Sequence, residues 1–332
     1  DMFEEAKRGR GYGYIEMSFG LGTLIGMIVA GIIPDWRPPF MYVAIPNWIL
    51  APIFYIVAEE PKRGAGENAL RKLYERGAEY VYKISWSAVK KSFKTLTNVL
   101  IFAQGMIGTA PWGVITYWLV SFLMVTRAMS KETATMVLLI LGISCIIGSV
   151  VGGYLGDIAE KRIRGGRAIF AGSAIFIGML TSLFLITYPL PSNPTMLDWI
   201  FLTVYSLLAI QFVSYASPNV TAIISQVNLP EDRGTIFGLF NILDNVGKAI
   251  GPLLGGLLIE YFKSIGYTEA DAYLWAMIVG ALFWIPCAAI WIAIYRTYPR
   301  DREEVQRILE KRAEELLKRL PSEPAGSPIQ LQ

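Results

Sequence analysis

The residue types best able to do chemistry in this chain lie inside an apolar run rather than in a polar loop. From Thr235 to Ile259 the sequence is mostly apolar, yet Asp244 and Lys248 stand near its middle, an acid four residues before a base. At about 100° per residue, Asn241, Asp244, Asn245 and Lys248 fall within about 100° of arc on one helix face. An acid and a base at that spacing can pair, and charges deep in an apolar span are costly unless they face a partner or a cavity. The pair is therefore either an ion pair packed between helices or a cavity-lining site. In the second case Lys248 attracts an anionic group, and Asp244 holds it poised or takes part in proton coupling.

Softer candidates sit in two other apolar runs. Gln211 and Tyr215 share a face of a run over 198–224, with Pro218 and Asn219 just beyond. Gln104, Thr109, Trp112 and Thr116 share one over 96–125. Each could line a cavity, or could be an interhelical hydrogen bond or a membrane-interface aromatic. Pro111 and Pro218 each lack an N–H and can kink a helix.

Several kinds of chemistry are absent from the sequence. No phosphate-binding Gly-Lys-Ser/Thr loop is present, so nothing points to ATP-driven transport. There is no histidine, which excludes histidine-based zinc sites and Ser-His-Asp triads. Cys145 and Cys287 both fall in apolar runs and read as small apolar residues rather than a disulfide. No cofactor, metal or enzyme activity is expected, and a net charge of +3 gives no case for nucleic acid.

These residues need membrane helices to hold them. The chain is 54% hydrophobic and 17% charged, against about 25% charged in an average soluble domain. Its apolar residues cluster into runs near the roughly 20 needed to span a bilayer. Eight spans are expected, near 13–33, 40–58, 96–125, 134–156, 168–188, 198–224, 235–259 and 272–295. Counting Lys and Arg in alternate loops gives 25 on one side and four on the other. The basic side is cytoplasmic, so both ends of the chain, the linker over 59–95 and the tail are expected there. The tail from Arg300 to Leu320 repeats apolar residues at three-to-four spacing, the pattern of an amphipathic helix on the membrane surface or on the protein's cytoplasmic face. The Pro- and Ser-rich end is expected to be disordered.

An internal repeat organises the spans. Arg8, Gly9, Gly13, Gly22, Gly26 and Gly31 recur as Arg233, Gly234, Gly238, Gly247, Gly251 and Gly256, at a constant offset of 225. Small residues four apart, as in Gly22/Gly26 and Gly247/Gly251, let membrane helices approach closely. The second unit begins near Thr97, and the same offset would start the first about 130 residues before Asp1. On this expectation the chain holds one complete six-helix repeat and the last two helices of another, a parallel-repeat plan used by transporters.

The pattern resembles the major facilitator superfamily. Arg8-Gly9 with the following glycines, and Asp35-Trp36-Arg37-Pro38-Pro39-Phe40, resemble its fifth helix and the turn into the sixth. Glu59-Glu60-Pro61-Lys62-Arg63-Gly64 resembles the end of the sixth helix. Gly153-Tyr154-Leu155-Gly156-Asp157, followed by Lys161 and Arg162, resembles the loop motif between the eighth and ninth, although Ile158 replaces a frequent basic residue and Arg164 to Arg167 lengthen the loop. The resemblance implies an all-α polytopic membrane protein equivalent to helices 5–12 of 12. Residues 1–58 would end the N-terminal bundle, 59–95 form the linker, 96–298 the complete C-terminal bundle and 299–332 the tail. It also implies a cytoplasmic gate of Gly153, Asp157, Lys161, Arg162, Arg8 and Arg233, with Asp157 facing the start of the Arg8–Gly13 helix. Glu-Pro-Lys-Arg-Gly with Pro111-Trp112 and Trp118-Leu119 is most similar to spinster-like lipid and organic-anion carriers, with sugar-phosphate or organic-acid carriers comparably similar. The function implied is secondary active transport of a small, anionic or amphiphilic solute by alternating access, with a proton or other ion as coupling partner. The rival is a sensor or scaffold that keeps the fold without transporting.

Overall fold

The computed structural model describes residues 3–33, 35, 37–82, 90, 93–190 and 195–318. Trp36 of the turn motif, linker residues 83–89, 91 and 92, and the Pro- and Ser-rich end lie outside them. Among the described residues the chain forms eleven α-helices and no strand. They are α1 (Arg8–Ile32), α2 (Arg37–Val57), the short α3 (Arg71–Glu75), α4 (Leu96–Arg127), α5 (Lys131–Arg162), α6 (Gly166–Thr187), α7 (Met196–Ser214), α8 (Ala216–Gln226), α9 (Arg233–Ser264), α10 (Glu269–Leu282) and α11 (Trp284–Lys318).

Seven stretches among the described residues are long and apolar enough to cross a membrane, counting α7–α8 and α10–α11 as one each. The first expected span corresponds to α1, which is not one of the seven but whose 25 residues extend about 37 Å at 1.5 Å per residue. Two spans are broken, and by the same cause. The helix is interrupted at Tyr215, three residues before Pro218, and at Phe283, three before Pro286. A proline ring collides with the carbonyl four residues back, so the preceding turn cannot stay regular. Pro111 has no such effect, since α4 runs through it unbroken.

The main core lies among α4, α6, α8, α9, α10 and α11, around Ile101, Ile175, Ile223, Ile236, Met277 and Trp291. A glycine lets the largest of these in: a Cβ on Gly172 of α6 would collide with the Trp291 side chain. The buried positions of α11, at Trp284, Cys287, Trp291, Ile294 and Tyr298, continue as Val305, Leu309, Ala313 and Leu316. One seam thus leaves the bundle and enters a second core with Leu70, Leu73, Ala78 and Tyr80 of the linker and Leu229. The amphipathic tail is a direct extension of the last span, crossing Pro299 without a break and packed on the linker.

The repeated glycines serve different contacts in the two units. Gly247 and Gly251 meet the α4 backbone at Met106, Ala110 and Gly113, whereas nothing lies within 4 Å of a Cβ on Gly22 or Gly26. The close packing expected at Gly22/Gly26 is thus absent among the described residues. The reason is one of register: α4 covers the α9 glycines, and among the described residues no helix lies at the equivalent register beside α1. The situation reverses near the N-terminal ends of the two helices, where Gly9 and Gly13 pack on Gly153 and Ser149 of α5 while Gly234 and Gly238 face open space.

Candidate functional site

Two groups of polar residues lie where α1 meets the remaining helices. At the N-terminal end of α1, Asp157 caps the helix from the side. The Gly9 N–H donates to Asp157 Oδ1 at 3.0 Å and the Arg10 N–H to Oδ2 at 3.1 Å. Free N–H groups and the positive dipole end of a helix N-terminus suit a carboxylate. The approach needs glycine on both helices, because a Cβ on Gly153 would strike the Gly9 carbonyl.

The basic partner of Asp157 lies outside the motif. Lys161 and Arg162 are exposed, and neither pairs with Asp157. Instead Arg167, at the start of α6, donates from Nη2 to Asp157 Oδ1 at 2.6 Å, both side chains being fully buried. Its Nη1 donates to Asn219 Oδ1 at 3.1 Å, and Asn219 Nδ2 donates to the carbonyls of Gly152 and Tyr215 at 3.0 and 2.7 Å. The lengthened loop turns the chain so that an arginine beyond the motif points inward. Arg10 adds a longer contact to Asp157 at 3.6 Å and lies 4.4 Å above the Tyr154 ring.

Beside this cap, Arg8 and Arg233 both donate to Glu67 Oε1, a linker residue that is almost fully buried. Gln306 of the tail donates to Glu67 Oε2 and to Glu5 at 3.3 Å each. Arg302 ties Glu5 to Glu160 of α5, at 2.6 and 2.7 Å. Farther out, Arg312 and Tyr80 share Glu231, at 2.7 and 2.9 Å. Burial opposes ionisation of Glu67, but Arg233 and Arg8 outweigh it and hold its pKa below the ordinary carboxylate value. Burial, reinforced by the nearby Glu231, pushes the Tyr80 hydroxyl up. Sequence reasoning missed Glu67, Glu5, Glu160 and Tyr80 because isolated polar residues in linkers and at helix ends carry no periodic signal.

Deeper in, Lys248 Nζ reaches Asp244 Oδ2 at 2.7 Å; Asp244 is buried while the Lys248 side chain stays 54% exposed. The Asp244 backbone is fixed by Thr109 of α4, whose hydroxyl donates to its carbonyl at 2.9 Å. Asn241 and Asn245 are exposed, and the Asn245 amide turns back to its own helix at the Asn241 carbonyl, 2.7 Å away. The other candidates do not converge on the pair. Tyr215 donates to Gln211 at 3.2 Å on the α7–α8 side, Gln104 is buried against Cys287 of α11, and Trp112 packs on the main core.

One residue near the pair escaped sequence reasoning. Glu16 of α1 is half-buried, with Lys248 and Asp244 as the charges acting on it. The repeat held a signal for it: adding 225 to 16 gives Asn241, a member of the polar stripe.

The sequence pattern that defines the Major Facilitator Superfamily matches residues 1–227 and 195–326. The chain belongs to the Major Facilitator Superfamily. Among superfamily members, it is 25% identical over 294 residues to the proton-coupled antiporter flippase LtaA of Staphylococcus saprophyticus, covering 85% of this chain and 66% of that protein. It is 27% identical over 242 residues to the probable galactarate/D-glucarate transporter GudP of Bacillus subtilis, covering 68% of this chain and 50% of that protein. Its fold matches a bacterial homologue of the human lysosomal transporter Spinster, inward-facing and unoccupied, with a TM-score of 0.56 at 18% identity, covering 89% of this chain and 66% of that one. The chain thus spans between half and about two thirds of the length of these proteins. They are transporters rather than enzymes, and the superfamily fold is the all-α, multi-pass membrane architecture described above.

Proposed function

We propose that this chain serves secondary active transport, moving a small anionic or amphiphilic solute by alternating access with proton exchange. The observation that carries the reading is the Lys248 ammonium: it is half-exposed, stands midway along a membrane-length helix, and is held by Asp244 at 2.7 Å. A charge kept at that depth and left partly open suits recognition of an anion. The LtaA and GudP relatives add precedent for proton coupling and for organic-acid cargo.

On this reading α1 and α2 belong to one bundle and α4 to α11 to the other, with the linker, both ends and the tail cytoplasmic. The cap at Asp157 and the arginines on Glu67 tie the two bundles together on the cytoplasmic side, and opening that side requires them to part. The test is uptake of labelled D-glucarate, and flipping of a fluorescent phospholipid, by the full chain in liposomes with and without a pH gradient. Movement of one probe, accelerated by the gradient and cut about tenfold in Lys248→Ala, is expected, since a lost charge-assisted contact is worth ~1.4 kcal/mol or more. Movement of neither probe, or full activity in Lys248→Ala, would overturn the reading.

A further inference from the structure

The helix that carries Asp244 and Lys248 is weakened just where it carries them. Pro252, one turn beyond Lys248, has no N–H to give the Lys248 carbonyl, and its ring crowds that oxygen. Yet α9 runs through this proline without a break, from Arg233 to Ser264.

The support comes from α4. Three carbonyls of α9, one turn apart, each meet one of its residues. The Thr109 hydroxyl stands 2.9 Å from the Asp244 oxygen and 2.7 Å from the Gly105 oxygen of its own helix, and its one hydrogen bridges the two. Gly113 abuts the Lys248 oxygen, where an added Cβ would come within 2.6 Å. Trp118 donates its indole N–H to the Pro252 oxygen at 3.0 Å. Glycines on α9 make room for these contacts: a Cβ on Gly247 would strike Thr109 Oγ1, and one on Gly255 the Trp118 ring.

Of the three, Thr109 alone gives a hydrogen bond to a residue of the ion pair. Its branched side chain is confined to few rotamers, so the place of the hydroxyl follows from the α4 backbone. An ion pair four residues apart on one helix, with a half-exposed lysine, is weak by itself. It does not decide where a long lysine side chain points; the backbone on which the pair stands does.

We propose that Thr109 is a positioning residue of the site: through the Asp244 carbonyl it sets the turn of α9 that keeps Lys248 paired with Asp244 and half-exposed. It touches no solute and acts only through Asp244. The consequence for transport rests on the transporter reading above, under which loss of the hydroxyl weakens the hold on an anion while both charges remain.

The experiment is brief acetylation of the full chain in lipid nanodiscs with acetic anhydride, with the extent at each lysine read by mass spectrometry. An amine held by a carboxylate reacts slowly, so labelling of Lys248 reports how often it leaves Asp244. Lys263, near the end of the same helix, is the internal reference. Thr109→Ala removes the hydroxyl and adds no bulk, and should raise the Lys248-to-Lys263 ratio several-fold. Thr109→Ser keeps the hydroxyl and should stay near the wild type, while Asp244→Asn gives the ratio of an unpaired lysine. A wild-type ratio in Thr109→Ala, a rise in Thr109→Ser as large as in Thr109→Ala, or a Lys248 that resists labelling even in Asp244→Asn would overturn the proposal. The labelling needs no transported solute, so absence of probe movement counts against the transporter reading and absence of this pattern counts against the role of Thr109.

Discussion

Arg8 and Arg233, 225 residues apart in sequence, donate to the same oxygen of Glu67. They are equivalent residues of the internal repeat, each opening its own helix, and the linker supplies one carboxylate for both. Two guanidinium groups converging on one acid would repel each other without it, so the linker is an electrostatic part of this end of the bundle and not merely a tether.

Glu67→Gln should therefore be strongly destabilising. It keeps the shape of the side chain but leaves two buried cations without their anion, and breaking such a pairing costs about 3–5 kcal/mol. The measurement is a melting curve in detergent or nanodiscs. Its pH dependence checks the cause. The folded-state pKa of Glu67 is held below its ordinary value of 4.5, so the stability it contributes is complete above that value and is lost as the pH falls below it. The wild-type Tm should decline in that acidic range more steeply than that of Glu67→Gln; parallel profiles would contradict the assignment.

Replacing Asp157 with Asn should slow transport without impairing membrane insertion. Asp157 receives the Gly9 and Arg10 N–H groups and Arg167 on its two oxygens, and an amide offers only one acceptor oxygen. Hydrogen bonds to a charged group are worth about 1.5–3 kcal/mol, so loss of one or two weakens the contact between α1 and α5, which on the proposed transport reading slows the cycle about tenfold or more. Membrane abundance measured beside probe uptake separates the two effects, and normal uptake by Asp157→Asn would show that the cap is not part of the gate. Arg167→Lys should follow Asp157→Asn, because a single ammonium cannot reproduce the fork that holds Asp157 and Asn219 together.

Much of this arrangement was legible in the sequence, for identifiable reasons. The Gly-x-x-Gly-Asp motif ending at Asp157 singles out that acid, and the glycines of the Arg8 helix mark the surface that approaches it. The partner Arg167 was not legible, because sequence gives no way to see that the exposed turn after α5 brings the start of α6 back inward. Breaks at Tyr215 and Phe283 stand three residues before prolines, whereas α4 runs unbroken through Pro111, so a proline marks where a break can fall but not whether it does. The packing of Gly22 and Gly26 was misjudged because a repeat transfers spacing between units but not the helix that lies opposite. Glu16 was overlooked because a lone acid beside glycines looks unremarkable until the repeat aligns it with Asn241.

The tail should detach when its seam is cut. Leu309 is completely buried in the small core formed with Leu70, Leu73 and Leu316, and truncating a buried leucine to alanine costs about 2–5 kcal/mol. That core is far smaller than the one among the membrane helices, so Leu309→Ala should free the segment beyond Arg300 while the bundle stays folded. Limited proteolysis reads this directly: rapid cleavage between 300 and 318 with an unchanged membrane core is expected. Resistance equal to the wild type would mean that the polar contacts of Arg302 and Arg312 hold the tail unaided.

Glycines at a close helix contact and at an open face should respond oppositely to the same substitution. At Gly153 a methyl group would collide with the Gly9 carbonyl, a backbone atom that can yield only if α1 and α5 separate. At Gly22 nothing lies within 4 Å of the added carbon, and alanine is the better helix former by roughly 0.5–1 kcal/mol. Gly153→Ala should thus lose about 1–3 kcal/mol through overpacking, with a lower Tm and weaker contact between α1 and α5. Gly22→Ala should match or slightly exceed the wild type. Because α1 reaches the remaining helices chiefly through α5 and α8, a loss at Gly153 should also loosen the Asp157 cap. Cysteine cross-linking between Arg10→Cys and Tyr154→Cys would report this as a lower yield, and an undiminished yield in Gly153→Ala would show that the two helices are not held by that contact.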